Sequence, residues 1–181
     1  KVLMSNGETL ELEPGLTRLM SVSRNASELA EAWKKWRDET GAKMRQMYEK
    51  FVTLSNKGVQ QLGYKDTGDY WRSSYEQKDF EESMEKAYNG LKPLYQYLHA
   101  YVRKRLIQEY GSEHFPRTGH IPAHLLGNMW AQEWNNIYKI TIPFKDKQTV
   151  DVTETMKKQN FSADRMFHEA DKFYISLGLE K

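Results

Sequence analysis

Apolar residues recur every three or four positions along most of the chain, and this spacing constrains the fold more than any other feature of the sequence. Such a period places apolar side chains on one face of a helix, whereas the alternation typical of strands is nearly absent. Asn25 followed by Glu28 has the spacing of a capping box. Residues 27–62 therefore predict a long helix, bent near Gly41, whose apolar stripe is Leu29, Ala32, Trp33, Trp36, Met44, Met47, Tyr48, Phe51 and Leu54.

The same period predicts a second long helix that begins at Asp79 and ends at Gly111. Glu82 stands in the capping-box position, and glycine commonly follows the last residue of a helix. Pro93 lies inside this stretch and removes one backbone donor, so we expect either a kink or two stacked shorter helices. Residues 63–79, between the two long helices, are predicted to form a turn-rich connection.

Three further segments complete the prediction. Residues 121–138 look like a helical run with Pro122 in its first turn, and Pro143 bounds a loop-like stretch after it. A short helix is expected near residues 154–159, and a final helix runs from Ala163 to Gly178. The sequence thus predicts five or six helices in one all-α domain.

Composition and charge exclude several classes of function. The net charge of +2 is small and both signs are mixed along the chain, so a basic stripe for nucleic acid is absent from the sequence. No apolar run approaches the length that spans a bilayer. The chain contains no cysteine, which excludes thiolate chemistry and cysteine-based zinc sites.

The cellular compartment is indicated by two opposing signals. The absence of cysteine slightly favours a reducing compartment. Two glycosylation sequons, at Asn25 and Asn160, favour secretion instead. Asn25 and Ser162 also suit the role of helix caps, which is the simpler explanation for either residue alone.

The five histidines give little support for a metal site within the chain. His120 and His124 have the spacing of paired helical ligands, but Pro122 between them argues against a continuous helix. The stretch HEADK at residues 168–172 resembles the start of H-E-x-x-H, yet Lys172 stands where the second ligand must be. A protonated lysine has no lone pair to donate.

Two other patterns suggest binding groups. Gln132 lies among asparagines and tryptophans, and on a helix it would share one side with Asn128, Asn135 and Asn136. Its amide has two donors and two acceptor lone pairs, which suit a carboxylate or a peptide group. Arginine directly follows tryptophan at Arg37 and Arg72, where it could stack on the ring and bind an anion, or simply pack on the surface.

Specific motifs carry a resemblance to a known family. They are GDYWRSSYE at residues 68–76, LHAYVR at 98–103, IPAHLLGNMWAQEW at 121–134 and RMFHEADKFYISLGL at 165–179. Together they resemble the angiotensin-converting enzyme family of zinc peptidyl-dipeptidases, in one uninterrupted register from about residue 9 to residue 179.

The resemblance implies a secreted or membrane-tethered, glycosylated, helical peptidase with a deep cleft. Such enzymes release dipeptides from the carboxyl end of peptides with one zinc ion, and chloride activates many of them. Their H-E-x-x-H motif and downstream glutamate would lie beyond Lys181. Residues 1–181 would then be an N-terminal-to-middle portion of one catalytic domain, with no second domain and no activity alone.

The resemblance also implies roles for individual residues. Gln132 matches the residue that holds the substrate's terminal carboxylate, and Glu13 matches a carboxylate in the pocket just after the scissile bond. Glu133 matches a pocket position that is not acidic in all relatives. Arg37 and Tyr75 resemble ligands of two chloride ions.

One departure from the family concerns a disulfide. Leu3 and Thr9 occupy the places of two cysteines that usually close a small loop, so this loop is expected to be looser.

Two functional hypotheses remain open at this point. In the first, the chain is a partial record of an active extracellular enzyme, and the remainder of the catalytic domain packs against it. In the second, it is a naturally truncated, non-catalytic relative that binds peptides or a partner protein. The retained aromatic and methionine surfaces favour the first, because a self-standing relative would need polar residues there.

Overall fold

The computed structural model describes residues 1–147 and 151–179, and helices dominate it, which confirms the all-α prediction. The chain divides into two compact units, residues 1–142 and 143–181. In the first unit the strands are β1 (Val2–Leu3) and β2 (Thr9–Leu10), and the helices are α1 (Thr17–Val22), α2 (Ala26–Glu39), α3 (Gly41–Gln60), α4 (Thr67–Ser73), α5 (Phe80–Tyr110) and α6 (Tyr138–Thr141). The second contains α7 (Thr153–Lys158) and α8 (Ala163–Ser176).

The first unit begins with a small antiparallel hairpin in which Leu3 lies directly opposite Thr9. Hydrogen bonds rather than a disulfide therefore close the loop between these two positions. The N–H of Met4 donates to the Glu8 carbonyl at 2.8 Å, and the hairpin is fixed to α2 because Lys35 donates to the Leu3 carbonyl at 2.7 Å. The Lys35 ammonium and the Ser5 hydroxyl hold the pKa of Glu31 at about 2.

The predicted long helix at residues 27–62 is two helices, α2 and α3, that meet at Thr40. The bend was expected near Gly41, and the chain turns one residue earlier because Thr40 adopts φ −115° and ψ −80°. Asn25 caps α2 as predicted, since its side chain accepts the N–H groups of Ser27 and Glu28. Glu28 does not return to the Asn25 N–H and instead accepts the Ser23 hydroxyl at 2.6 Å.

The turn-rich prediction for residues 63–79 missed helix α4. Seven residues are too few to show an apolar period, but a capping signal was present in the sequence. The Asp66 side chain accepts the N–H of Asp69 at 2.8 Å, and Thr67 donates to Asn56 of α3. The Asp66 cap and two hydrogen bonds from Thr67 to Asn56 therefore stabilise this helix.

Helix α5 is continuous through Pro93, and Gly111 ends it with φ +93°. The proline leaves the carbonyl of Asn89 without its helical donor, yet that part of the helix is exposed and water can replace the bond. The predicted capping box at Asp79 is absent, because its carboxylate accepts the Ser83 hydroxyl rather than a backbone N–H.

The core of the first unit lies where the hairpin, α1, α2 and the carboxyl-terminal part of α5 meet residues 115–140. Only Val102 and Leu106 of α5 are buried in it. Its buried side chains are Val2, Met4, Leu16, Met20, Ala26, Leu29, Ala32, Val102, Leu106, Phe115, Leu125, Leu126, Met129, Ile137 and Ile140.

The second unit forms the two helices predicted for it. Ser162 caps α8 by accepting the N–H of Arg165, and Gly178 follows the helix with φ +84°. Part of the predicted loop after Pro143, residues 148–150, lies outside the described residues. Across residues 1–147 and 151–179, none of the helices combines the length and the apolar character that crossing a bilayer requires.

Large apolar surfaces of α3 and α5 are exposed. The stripe that buries Val102 and Leu106 continues toward the start of α5, where its residues lie in solvent. Exposed apolar side chains of this extent are unusual for a monomeric protein. Those of α3 and α5 are Met44, Met47, Tyr48, Phe51, Val52, Leu54, Met84, Tyr88, Leu91, Leu94, Tyr95, Tyr97, Leu98 and Tyr101.

We expect the isolated 181-residue chain to bind the dye ANS and to be poorly soluble, because these stripes remain accessible. The double variant Met47→Glu/Phe51→Lys should lower ANS fluorescence, while the neighbouring exposed change Lys50→Glu should leave it unchanged. A compact monomer that unfolds cooperatively and does not bind the dye would contradict this expectation and favour the truncated relative.

Candidate functional site

Residues 121–138 do not form the helix that the sequence analysis expected. The stretch contains two short 3-10 turns, Ala123–Leu125 and Asn135–Ile137, separated by irregular backbone. Gly127 and Ala131 adopt φ +79° and +55°, in the left-handed region that a right-handed helix excludes. Gln132 therefore does not share a helix face with Asn128, Asn135 and Asn136.

The residues Gly127–Asn136 form a closed loop, which we call the Gln132 loop. Its two ends meet because the Asn136 side-chain amide donates to the Gly127 carbonyl at 2.8 Å. A Cβ atom at Gly127 would lie 2.8 Å from that of Asn136, so only glycine fits at this neck. Compact loops with adjoining ends of this kind often carry function.

Internal hydrogen bonds fix the shape of the Gln132 loop. The Asn128 carboxamide oxygen accepts the Trp130 N–H at 2.7 Å, and the Trp134 indole donates to the Ala131 carbonyl at 3.1 Å. Met129 is only 2% exposed and anchors the loop in the core. Two of the four polar residues that suggested a binding helix, Asn128 and Asn136, thus bond to the backbone of an irregular loop instead.

Arg37 of α2 holds the loop at Met129. Its guanidinium donates to the Met129 carbonyl at 2.7 Å and lies 3.4 Å from the Met129 sulfur. Burial lowers the pKa of Arg37. The hydrogen bonds from this guanidinium to the Trp33 and Met129 carbonyls are partly buried. Charge-assisted hydrogen bonds are stronger where water is partly excluded.

Arg37 stacks on Trp33 rather than on its sequence neighbour Trp36. The guanidinium carbon lies 3.8 Å from the centre of the Trp33 ring. Side chains four residues apart share a helix face and adjacent ones do not, which explains the choice. In the other tryptophan–arginine pair, Arg72 binds a carboxylate, that of Glu81, at 3.1 Å, and it does not stack on a ring among the described residues.

The structure leaves Gln132 and Glu133 exposed on the loop. Among the described residues, no hydrogen bond engages the Gln132 amide, so its donors are available to a ligand. Glu13 is exposed in the segment before α1 and accepts the hydroxyl of Thr17, the first residue of that helix, at 2.6 Å. Tyr75 is 63% exposed, and its ring stacks on Phe80 with centres 4.3 Å apart.

Of the predicted site residues, the structure links only Arg37 directly to the Gln132 loop. No hydrogen bond joins Glu13 or Tyr75 to that loop within residues 1–147 and 151–179. Both sequons lie at helix starts, where Asn25 and Ser162 act as the predicted caps. Asn25 and Asn160 are exposed, and their glycosylation stays a prediction.

The described residues do not offer a ligand set for zinc. Within them, no three histidine, aspartate or glutamate side chains come close enough to hold a metal ion. His120 instead lies 2.8 Å from the Thr118 hydroxyl, and burial, aided by the charge of His114, lowers the pKa of His124. We therefore derive no catalytic step through a metal held by these residues.

Sequence reasoning missed Arg24, which contacts the loop from the turn before α2. Its guanidinium donates to the Asn136 carbonyl at 2.7 Å across 112 residues of sequence. No local sequence pattern predicts a contact between residues so far apart in the chain. Gly127 and Asn136 are residue types that favour turns, so the sequence did contain a signal for a turn at those two positions.

These features define an all-α protein that presents a hydrogen-bonded, non-helical loop with exposed polar groups. A family model described as angiotensin-converting enzyme matches residues 1–181. The chain belongs to the angiotensin-converting enzyme family of peptidases, as its motifs suggested.

Individual relatives agree with this assignment. The chain is 51% identical over 178 residues to angiotensin-converting enzyme of Rattus norvegicus, which covers 98% of the chain and 14% of that relative. It is 48% identical to angiotensin-converting enzyme-like protein Ace3 of Mus musculus, covering 99% of the chain and 24% of the relative. Angiotensin-converting enzyme of Theromyzon tessulatum is 47% identical, covering 96% and 28%. The chain thus spans between about a seventh and a quarter of the length of these relatives.

Asn136→Ala should open the neck of the Gln132 loop, because it leaves the Gly127 carbonyl without its donor at a cost of about 1–2 kcal/mol. We expect faster hydrogen exchange of the backbone N–H groups in residues 127–136, measured by mass spectrometry. Asn135→Ala is the matched control, since its exposed side chain has no such bond. Equal exchange in the two variants would show that the Asn136 side chain does not close the loop.

Proposed function

We propose that this chain is part of the catalytic domain of a zinc peptidyl-dipeptidase and that its Gln132 loop binds the carboxyl end of a peptide. The observation that carries the proposal is the exposed Gln132 amide on a loop fixed at its neck and at Met129. A fixed loop supports binding because little conformational entropy is lost when the ligand arrives.

The chemistry of Gln132 suits this role. Its side-chain NH₂ group can donate two hydrogen bonds to carboxylate oxygens, and bonds to a charged acceptor are stronger than neutral ones. An amidated peptide end has no such charge and presents its own donors. The site should therefore prefer substrates with a free C-terminal carboxylate.

Two acidic residues would shape the neighbouring pockets. We propose that Glu133, next to Gln132, and Glu13, in the segment before α1, line subsites for substrate side chains. A carboxylate there would favour basic side chains and repel acidic ones. Neither residue is assigned a part in bond cleavage.

The metal and the rest of the catalytic machinery are proposed to come from chain outside these 181 residues. A bound zinc ion would supply a water of lowered pKa as the nucleophile. The contribution of residues 1–181 is to bind and orient the peptide. In this proposal the remainder of the catalytic domain covers the apolar stripes of α3 and α5.

The exposed stripes support an incomplete domain over a truncated, non-catalytic binding relative. We also propose an extracellular location, with any membrane tether outside this chain. Glycosylation of Asn25 is compatible with its cap, because the glycan would attach to the side-chain nitrogen while the oxygen accepts the hydrogen bonds. The proposed partners are peptides rather than nucleic acid.

Gln132→Ala, made in the full-length peptidase, should raise KM about tenfold for peptides with a free terminal carboxylate, the equivalent of one charge-assisted hydrogen bond. KM for the amidated forms of the same peptides should change much less. Asn135→Ala serves as the control within the same loop. An equal loss for both kinds of substrate would remove Gln132 from this role.

Arg37→Gln should blunt any activation by chloride, because glutamine retains donors but lacks the positive charge that attracts an anion. The measurement is the ratio of kcat/KM with and without chloride in the full-length enzyme. Arg45→Gln, an exposed arginine of α3, controls for the general loss of charge. If Arg37→Gln leaves this ratio unchanged, Arg37 is not a chloride ligand. Tyr75 is proposed as the second chloride ligand, and the variant Tyr75→Phe tests it by the same measurement.

A further inference from the structure

Arg24 occupies the turn between α1 and α2 and bonds to three backbone carbonyls. One guanidinium nitrogen donates to Ser21 at 3.2 Å and to Ser23 at 2.7 Å. The other donates to the Asn136 carbonyl at 2.7 Å. The residue therefore joins the turn between α1 and α2 to the neck of the Gln132 loop.

The neck itself is a relay of two bonds. Arg24 fixes the backbone of Asn136, and the side chain of Asn136 fixes the backbone of Gly127. Both ends of the loop are thereby tied to the same guanidinium. Arg37, thirteen positions later on the far part of α2, donates to the Met129 carbonyl and gives the loop a second attachment.

We propose that Arg24 is a positioning residue for Gln132, and that it acts by holding the neck of the loop against the turn between α1 and α2. This inference rests on the proposed carboxylate-binding role of Gln132. Arg24 donates to the backbone of the neck, not to a reacting group, so it acts through Asn136 and the loop.

Arg24 is held in place by bonds within its own turn. Its bonds to the Ser21 and Ser23 carbonyls are partly buried, whereas its bond to the Asn136 carbonyl is exposed. Tyr110, at the end of α5, lies close enough for the charge of Arg24 to act on its hydroxyl, whose pKa burial raises. A planar guanidinium can serve carbonyls on two sides at once, whereas a lysine ammonium provides a single point of charge.

The kinetic consequence should be a change in binding rather than in chemistry. When the neck loosens, Gln132 samples positions away from the carboxylate, and the loss falls on substrate affinity. A loosened loop should leave kcat nearly unchanged if ground state and transition state bind the carboxylate equally. General unfolding would instead reduce the fraction of active enzyme and lower kcat for every substrate.

The experiment uses Arg24→Met and Arg24→Lys in the full-length peptidase, with Arg18→Met as the matched control. Arg18 is an exposed arginine of α1. We expect Arg24→Met to raise KM about three- to tenfold for free-carboxylate peptides, with little effect on kcat or on amidated peptides. Arg24→Lys should recover part of the loss. Arg24→Met added to Gln132→Ala should produce no further increase.

Hydrogen exchange of residues 127–136 separates this inference from the proposed function. Faster exchange in Arg24→Met, but not in Arg18→Met, supports the neck contact even if Gln132→Ala fails to discriminate between substrates. Unchanged exchange overturns the inference. If exchange is faster and Gln132→Ala discriminates, yet Arg24→Met leaves KM unchanged, the residue holds the loop without positioning Gln132, and the proposal fails. Should Arg24→Met not fold, the same readouts on Arg24→Lys decide.

Discussion

The Gln132 loop depends on side-chain donors that satisfy the carbonyls of a non-helical backbone. A helix would satisfy these groups internally, but left-handed residues at Gly127 and Ala131 rule out that solution. Asn136 and Arg37 provide two of the missing donors, and both act on carbonyls beside buried residues. Without them the chain would expose or bury unpaired polar groups. The loop keeps its shape because side-chain donors bond to backbone carbonyls that a helix would have satisfied internally.

Side-chain donors to backbone carbonyls also explain why α2 is central to the first unit. The helix begins at the Asn25 cap, holds the hairpin through Lys35 and carries Arg37 at its far end. Its buried face completes the core, while its polar groups reach outward to fix segments that have no regular structure. By contrast, α3 and most of α5 contribute long apolar stripes that meet no partner in the described chain. The first unit thus has a packed core on one side and exposed apolar stripes on the other.

The sequence predicted the long helices well because their apolar period repeats many times. The sequence also predicted the cap at Asn25 and the helix end at Gly111, since each depends on the preference of a single residue type for the end of a helix. The prediction failed for residues 121–138, where apolar and polar residues at helical spacing disguised a loop. Local spacing did not reveal that Gly127 and Ala131 would turn the backbone left-handed. Helix α4 was missed because it is shorter than two periods.

By itself the sequence determined the fold class, the family and the identity of Gln132 as a binding candidate, because motifs and periodicity are properties of neighbouring residues. Only the tertiary structure decided how Gln132 is presented. Arg24 and Asn136 are separated by 112 positions, and their bond exists because the folded core brings the turn between α1 and α2 beside the loop. The stacking of Arg37 on Trp33 follows from helix geometry, but the hydrogen bond from Arg37 to the Met129 carbonyl does not. Such contacts depend on packing in three dimensions, which no pattern along the chain encodes.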